Sequence, residues 1–323
     1  MDDGTLMRAG LIVNPVSGKP RGKGLALAEK LKNVGAVQVH VLERFGQLPQ
    51  VLDAFAAAGV TELFVSSGDG TIQAIQTELA ERRPFAQLPR LGLLAHGTTN
   101  MTAADLGFRH RSIEAQAQFL IDPRPRILRP RPTLRAVNPR DGRPRHGMFL
   151  GTGAVSMATL FSQRAFNARG IGGNWASFAT LAGAAARTLF MPANPADRSR
   201  FDRPYPIAIE ADGRSMVKGE QLLMLSTTLE KLILGARPFW GGDGGPIRTS
   251  VFPYPVPSIV RWLLPIMYGG ENRQVPPGAM SFSSTGLAVR TPVTFVIDGE
   301  FFEPPEHEPL RIETGPVFTY ICG

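Results

Sequence analysis

Three short segments in the first third of the chain have the residue types to hold an anion. They are Asn14-Pro15-Val16-Ser17-Gly18, Ser66-Ser67-Gly68-Asp69-Gly70-Thr71 and Ala95-His96-Gly97-Thr98-Thr99-Asn100, each placed after a short apolar run and before a helical pattern. Small residues in such turns let backbone N–H groups approach a phosphate closely, and the following helix N-terminus adds partial positive charge. One glycine turn answers to sterics alone. Three at the same place in three successive units point to a nucleotide-phosphate site. Asp69 is conspicuous there, because a carboxylate beside a polyphosphate is unfavourable unless a cation or a proton compensates it. Magnesium coordination, acceptance of a proton from an attacking hydroxyl, and a plain turn or helix N-cap role are all open from position alone.

Neither of the common phosphate cradles is present. Gly18 to Lys23 has the wrong spacing for a P-loop, with Gly24 where Ser or Thr belongs, and no strand is followed by G-x-G-x-x-G. The elements that must position the turns are legible from periodicity. Ala9–Val13, Leu63–Val65 and Leu91–Leu94 read as buried strands. Leu25, Ala28, Leu31 and Val34 predict one helix face, and Ile72, Ile75 and Leu79 another. A third helix is predicted from about Met101 to Leu106, stopped by Gly107. Strands alternating with helices predict βαβ units on a parallel sheet, which bind ligands at the carboxyl ends of their strands.

From about Phe149 the pattern changes to glycine-rich turns between short apolar runs (Tyr205–Glu210, Leu222–Ser226, Leu287–Val289, Val293–Ile297), with one alanine-rich helical stretch from about Trp175 to Leu189. A mostly antiparallel β domain is expected. The boundary falls in an arginine-rich, proline-broken segment, giving domains at 1–130 and 131–323, with the last strand free to return to the first. Between Arg109 and His146 stand ten arginines, no lysine and three acids, which hold nearly all of the formal net charge of +8. That stretch reads either as an attractor for an anionic surface or as a solvated connection. Few aromatic residues accompany it and no nucleic-acid motif is present, so nucleic acid is not the expected partner. The single Cys322 excludes a disulfide framework. The acidic Met1-Asp2-Asp3-Gly4 start shows no export signal, and Trp175–Met191, interrupted by Arg187, is too short to span a bilayer. The expected location is cytoplasmic.

The three turns, in this order, resemble the diacylglycerol and sphingosine lipid kinase family: Asn14-Pro15-x-Ser17-Gly18, Ser67-Gly68-Asp69-Gly70-Thr71, and Gly97-Thr98-x-Asn100 followed by Ala103-x-x-Leu106-Gly107, with Ile297-Asp298-Gly299-Glu300 near the C-terminus. The Gly-Asp-Gly-Thr turn is shared with NAD kinases; the first and last motifs favour lipid kinases. The resemblance implies an N-terminal α/β domain and a β-sandwich-like C-terminal domain, with the active site between them. It implies ATP as donor of the γ-phosphoryl group, Mg2+ as cofactor and a diacylglycerol-like lipid hydroxyl at a membrane surface as acceptor. By position it gives nucleotide contact to Asn14, Ser17, Gly18, Ser67, Gly68, Gly70, Thr71, Gly97, Thr98 and Asn100. Asp69 would organise phosphates and metal or take the proton. Asp298 and Glu300 would act from the second domain, Glu300 as the base.

The chain departs from the family pattern in places. Ala95-His96 replaces the usual proline lead into the third turn, and Met101 stands where an aspartate is common. Gly242-Asp243-Gly244-Gly245 keeps one acid of an acidic run, so Asp243 is a weak candidate for metal. Gly151-Thr152-Gly153-Ala154 replaces a familiar acceptor-side segment. Pro257–Tyr268, with two aromatics and several large aliphatics, reads either as an interfacial insertion that would hold the protein peripherally at the inner face of a membrane, or as buried core. A kinase of a soluble substrate such as NAD, and a catalytically silent nucleotide or lipid binder, stand as alternatives. The lipid acceptor and the oligomeric state are left open.

Overall fold

The computed structural model describes residues 8–16, 22–97, 100–108, 112–122, 126–160, 200 and 202–322. The helical stretch expected from about Trp175 to Leu189 lies outside them. The chain divides into two compact units. One comprises residues through Thr133 together with Leu229–Leu234 and Gly315–Gly323; the other comprises Leu134–Thr228 and Gly235–Thr314.

In the first unit the apolar runs form β1 (Ala9–Val13), β2 (Val37–Val41), β3 (Glu62–Ser67) and β4 (Arg90–Ala95). They lie in the order β2–β1–β3–β4, and every pairing is parallel. The end of the chain's last strand (Leu310–Cys322) pairs parallel with the far side of β4, Tyr320 opposite Leu91. β1 and β3 are buried along their whole length, as strands covered on both faces must be. The helices α1 (Lys23–Leu31), α2 (Leu48–Ala57), α3 (Asp69–Glu81), α4 (Met101–Leu106) and α5 (Ile113–Ile121) alternate with them or follow them. The expected face of α3 is buried, with Ile72 and Ile75 at 1% exposure and Leu79 at 0%. On α1 the buried residues are Leu27, Ala28 and Leu31, while Leu25 is exposed. The helix begins only at Lys23, and its contact face is turned one step from the one the apolar spacing suggests.

The second unit is built from antiparallel pairs. The strand β5 (Ile127–Ala136) runs into it from the first unit, followed by β6 (Arg145–Gly147), β7 (Phe149–Gly153), β8 (Tyr205–Ala211), β9 (Arg214–Thr227), β10 (Ile247–Pro253), β11 (Met280–Ser284), β12 (Gly286–Arg290), β13 (Phe295–Ile297) and β14 (Glu300–Phe302); the last strand, β15, enters at Leu310. Its order is β14–β13–β7–β9–β8–β12–β15, with β10 also paired to β9 and β11 to β10. Two tight hairpins have positive φ at both turn residues, Asp212-Gly213 (47°, 77°) and Asp298-Gly299 (47°, 93°), as two-residue loops of this hand require. Leu150, Met224, Ile247 and Phe295 lie in the unit's apolar centre. The helix α6 (Ile259–Tyr268) has no buried residue, so the buried-core reading of Pro257–Tyr268 is overturned.

The arginine-rich stretch is largely neutralised by the chain's own acids. Five of its seven described arginines meet a carboxylate: Arg126 with Glu62, Arg131 with Glu230, Arg135 with Glu313, Arg140 with Glu303 and Arg145 with Asp141. Much of it is strand β5 rather than an open linker. No helix among the described residues is long and apolar enough to cross a membrane.

One glycine in β4 makes room for the first unit's aromatic centre. A Cβ at Gly92 would come within 2.6 Å of Phe64 Cε1, and Phe64 is fully buried and stacked on Phe108 with ring centroids 5.7 Å apart. Gly92→Ala is expected to destabilise the protein by about 1–3 kcal/mol through overpacking. A urea melt would register this as a lowered midpoint; an unchanged midpoint would show that Phe64 has slack.

Candidate active site

The three turns leave three adjacent strands. β3 lies between β1 and β4, with Val13 opposite Ser66 and Ser67 opposite Ala95, so the strands end nearly level. At the roughly 4.8 Å spacing of neighbouring strands, the loops after them cannot avoid one another. Asn14 N–H donates to the Ser66 carbonyl at 3.2 Å, and Asn14 Nδ2 donates to Thr71 Oγ1 at 2.9 Å. The same side chain's Oδ1 accepts from Val16 N–H at 3.1 Å, closing an Asx turn. The first turn is thereby tied to the second.

The second and third turns touch through bare backbone. A Cβ added at Gly97 would run into Gly68 Cα and stand 2.9 Å from Gly68 N, whereas one at Gly68 would meet Gly97 Cα at an ordinary 3.5 Å. Neither residue has positive φ. Close approach, not left-handed backbone, is what demands glycine at 97. Asn100 holds the third turn shut, Oδ1 accepting from Gly97 N–H at 2.7 Å and Nδ2 donating to Gly97 O at 2.6 Å, from a left-handed backbone (φ 49°).

Asp69 opens α3, yet its carboxylate serves a different helix. One oxygen accepts the Met101 N–H at 2.9 Å and the other the Thr102 N–H at 3.0 Å. These belong to the first turn of α4, whose N–H groups have no helical partner. Asp69 therefore caps α4 from 32 residues away, in addition to standing at the start of its own helix. Burial pushes its carboxyl above the ordinary carboxylate range, and the two backbone hydrogen bonds pull the other way. The helix end where a third phosphate contact was expected already holds an anion. The N-termini of α1 and α3 are the remaining ones; Gly70 lies in the first turn of α3.

Beneath the turns sits a pair that the motifs do not include. His96 Nδ1 and Ser66 Oγ are 2.8 Å apart, joining the ends of β4 and β3. Desolvation lowers the imidazole pKa below its ordinary value, and Lys23 at the start of α1 lowers it further, while the Gln116 side chain acts in the opposite direction. A Cβ at Gly24 would stand 2.5 Å from Ser66 Oγ, so α1 also packs against this spot without clearance. The departure from the usual proline falls one residue before His96, at Ala95, and is the nearest signal the sequence offered for this pair. The remaining expected nucleotide residues divide in two: Ser67 is buried and donates to Gly68 O at 2.9 Å, while Ser17, Gly18 and Thr98 lie outside the described residues.

The other expected acids belong to the second unit. Asp298 is 3% exposed, and its carboxylate accepts the Met148 N–H at 2.8 Å and the Phe149 N–H at 2.9 Å. It is a hairpin residue anchoring the neighbouring β7, a role that leaves it no opening to a substrate. Glu300, two residues on, is exposed at the start of β14. Asp243 is exposed beside Gly242, which has φ 73°.

These carboxylates do not make a metal cage. Among the described residues no three His, Cys, Asp or Glu side chains group together, and both oxygens of Asp69 already take backbone donors. The described residues form no ready cage for a protein-held cation.

The architecture is thus an N-terminal α/β unit with a parallel sheet and close-set turns at its carboxyl edge, and an antiparallel β unit. Residues 8–128 match the diacylglycerol kinase catalytic domain family. That segment contains all three turns, and the family is the one their resemblance implied. A solved structure of a diacylglycerol kinase from Bacillus anthracis str. Sterne is similar at 19% identity and TM-score 0.61, covering 97% of this chain and 96% of that one. A candidate diacylglycerol kinase from the same strain is similar at 20% identity and TM-score 0.64, with the same coverages. At these identities the likeness speaks for the fold. No curated protein matches the sequence significantly.

Two outcomes are expected of this geometry. Gly97→Ala should force the second and third turns apart and lower turnover about 10²-fold, the scale of a misplacement near 1 Å; steady-state rates at wild-type level would show that the turns need not touch. His96→Gln should flatten the pH dependence of stability. The unfolded imidazole takes its proton near pH 6.5, while the folded one stays neutral to lower pH, so the wild type loses stability as pH falls from about 7 to 5. Urea midpoints of wild type and variant across that window should diverge, with the wild type falling more steeply.

Proposed function

We propose that the protein is an ATP-dependent lipid kinase that transfers the γ-phosphoryl group to a hydroxyl of a diacylglycerol-like acceptor. The observation that carries this reading is the contact of Gly68 with Gly97, with Asn14 bonded to Thr71, inside the segment that matches a diacylglycerol kinase catalytic domain.

Phosphates of ATP would lie against the N-termini of α1 and α3, where unpaired N–H groups and the helix dipoles favour negative charge. Asn14 and Asn100 act as positioning residues, each fixing a turn by its own hydrogen bonds. Asp69 has the same kind of role, holding α4 in place beside α3. Each of its oxygens already accepts a backbone N–H, so we assign it to holding the helix rather than to taking the proton. Magnesium would arrive on the ATP phosphates, since no cluster of metal-ligating side chains stands among the described residues. Phosphoryl transfer needs little covalent chemistry from the protein, so the contribution is alignment and charge placement.

The base is assigned to Glu300. Of the acids the family resemblance singled out, Asp69 and Asp298 are buried and committed to backbone N–H groups, while Glu300 is exposed and its carboxylate carries no hydrogen bond among the described residues. A lipid hydroxyl is a very weak acid, and a carboxylate accepting its proton as the bond to phosphorus forms assists the step.

The test uses radiolabelled ATP with diacylglycerol, monoacylglycerol, sphingoid base, ceramide and phosphatidylglycerol, scoring label in the organic phase. Labelled lipid is expected. Label confined to the aqueous phase would indicate a soluble acceptor such as NAD, and ATP binding without any product would indicate a silent binder. Glu300→Gln should lower kcat about 10²–10⁴-fold while leaving ATP affinity unchanged. An undiminished kcat would remove Glu300 from the chemistry.

A further inference from the structure

We infer that α6 is a docking face for an anionic phospholipid surface. The helix reads Ile-Val-Arg-Trp-Leu-Leu-Pro-Ile-Met-Tyr, apolar but for Arg261, and none of its residues is buried. Ile259 and Ile266, seven apart and so on one side, lean on the unit's apolar centre. Val260, Leu264 and Tyr268 follow at four-residue intervals on another side with Leu263 beside them, at 42%, 70%, 51% and 39% exposure. A contiguous apolar stripe on the surface of a folded protein marks an interaction site rather than chance exposure.

The helix is firmly mounted. Trp262 Nε1 donates to the Pro257 carbonyl at 3.0 Å near the first turn. At the other end the Arg273 guanidinium donates to the carbonyls of Ile266, Gly270, Arg237 and Phe239, and Arg237 N–H donates to Met267 O at 2.8 Å. A cation on the last carbonyls of a helix also complements its dipole. The stripe is a preformed platform.

A bilayer suits this platform for three reasons. Ten residues span about 15 Å, half the thickness of a hydrocarbon core, so the helix can lie in the interface but not cross it. It carries no acid, and Arg261, whose guanidinium sits 5.1 Å from the Trp262 ring, brings positive charge alongside the apolar stripe, with Arg237 and Arg273 nearby. Trp262 and Tyr268 are the side chains that membrane interfaces favour. The pairing of an apolar stripe with cations is the combination that binds anionic bilayers reversibly. Delivery of a membrane-held hydroxyl to the kinase rests on the function proposed above; the docking itself does not.

The full-length chain should co-sediment with phosphatidylcholine vesicles containing phosphatidylglycerol, more weakly with phosphatidylcholine alone, and less as salt is raised. Leu264→Glu should reduce the bound fraction about tenfold or more without changing the melting temperature, and leave phosphorylation of a short-chain, water-soluble diacylglycerol at wild-type rate. Vesicle binding equal in wild type and Leu264→Glu, or absent in both, would overturn the inference. So would a concentration-dependent dimer that Leu264→Glu abolishes without vesicle binding, which would give the face to a second copy of the chain. Vesicle binding lost in the variant with no lipid phosphorylated by either protein would leave the docking face standing and remove the lipid-kinase reading. Soluble diacylglycerol phosphorylated by both with vesicle binding unaltered would do the reverse.

Discussion

Two backbone N–H groups at the start of α4 have no carbonyl to meet within their own helix, and both end on the carboxylate of Asp69. The other contacts of the site follow from that bond pair. It fixes the first turn of α4 against the first turn of α3, which leaves Gly97 no position except against Gly68. Asn100 then folds back on Gly97, and Asn14 closes the far side through Thr71. A buried carboxylate without such donors would be costly, and helix ends without such an acceptor equally so. Each needs the other.

The secondary structure and the general layout of the first unit were legible in the sequence because they depend on local rules. The helix from Met101 to Leu106 ending at Gly107, the buried face of α3 and the antiparallel character of the second unit all emerge as read. What was not legible depends on which strands become neighbours. The motif around Asp69 suggests a metal ligand, a base or a cap, and only the adjacency of β3 and β4 reveals that it caps, and which helix. The slip at Leu25 has a smaller cause: apolar spacing gives a period but not the residue at which the helix starts. His96 stands at a variable position of the pattern and was not readable, since its partner Ser66 lies thirty residues away.

Asp298 and Glu300 show how a motif can mix duties. Side by side in sequence, the two acids look equivalent. The positive φ required by the hairpin and the two N–H groups of Met148 and Phe149 take Asp298 out of solvent, while the strand that follows turns Glu300 outward. An aspartate suits such a turn because its short side chain tolerates left-handed backbone and bonds locally. One acid shapes the corner and the other is left exposed.

The last strand belongs to both units: Leu310–Glu313 pairs with β12 in the second, and Tyr320 and Ile321 pair with β4 in the first, where the Tyr320 hydroxyl accepts a 2.7 Å hydrogen bond from the buried Gln76. The parallel sheet is thus completed by residues synthesised after the entire antiparallel unit. During translation the first unit emerges with one edge of β4 bare and Gln76 unmatched, and it waits through nearly two hundred further residues for its closing strand. Severing the chain at the boundary of the units would yield not a free-standing half but a sheet with an open flank.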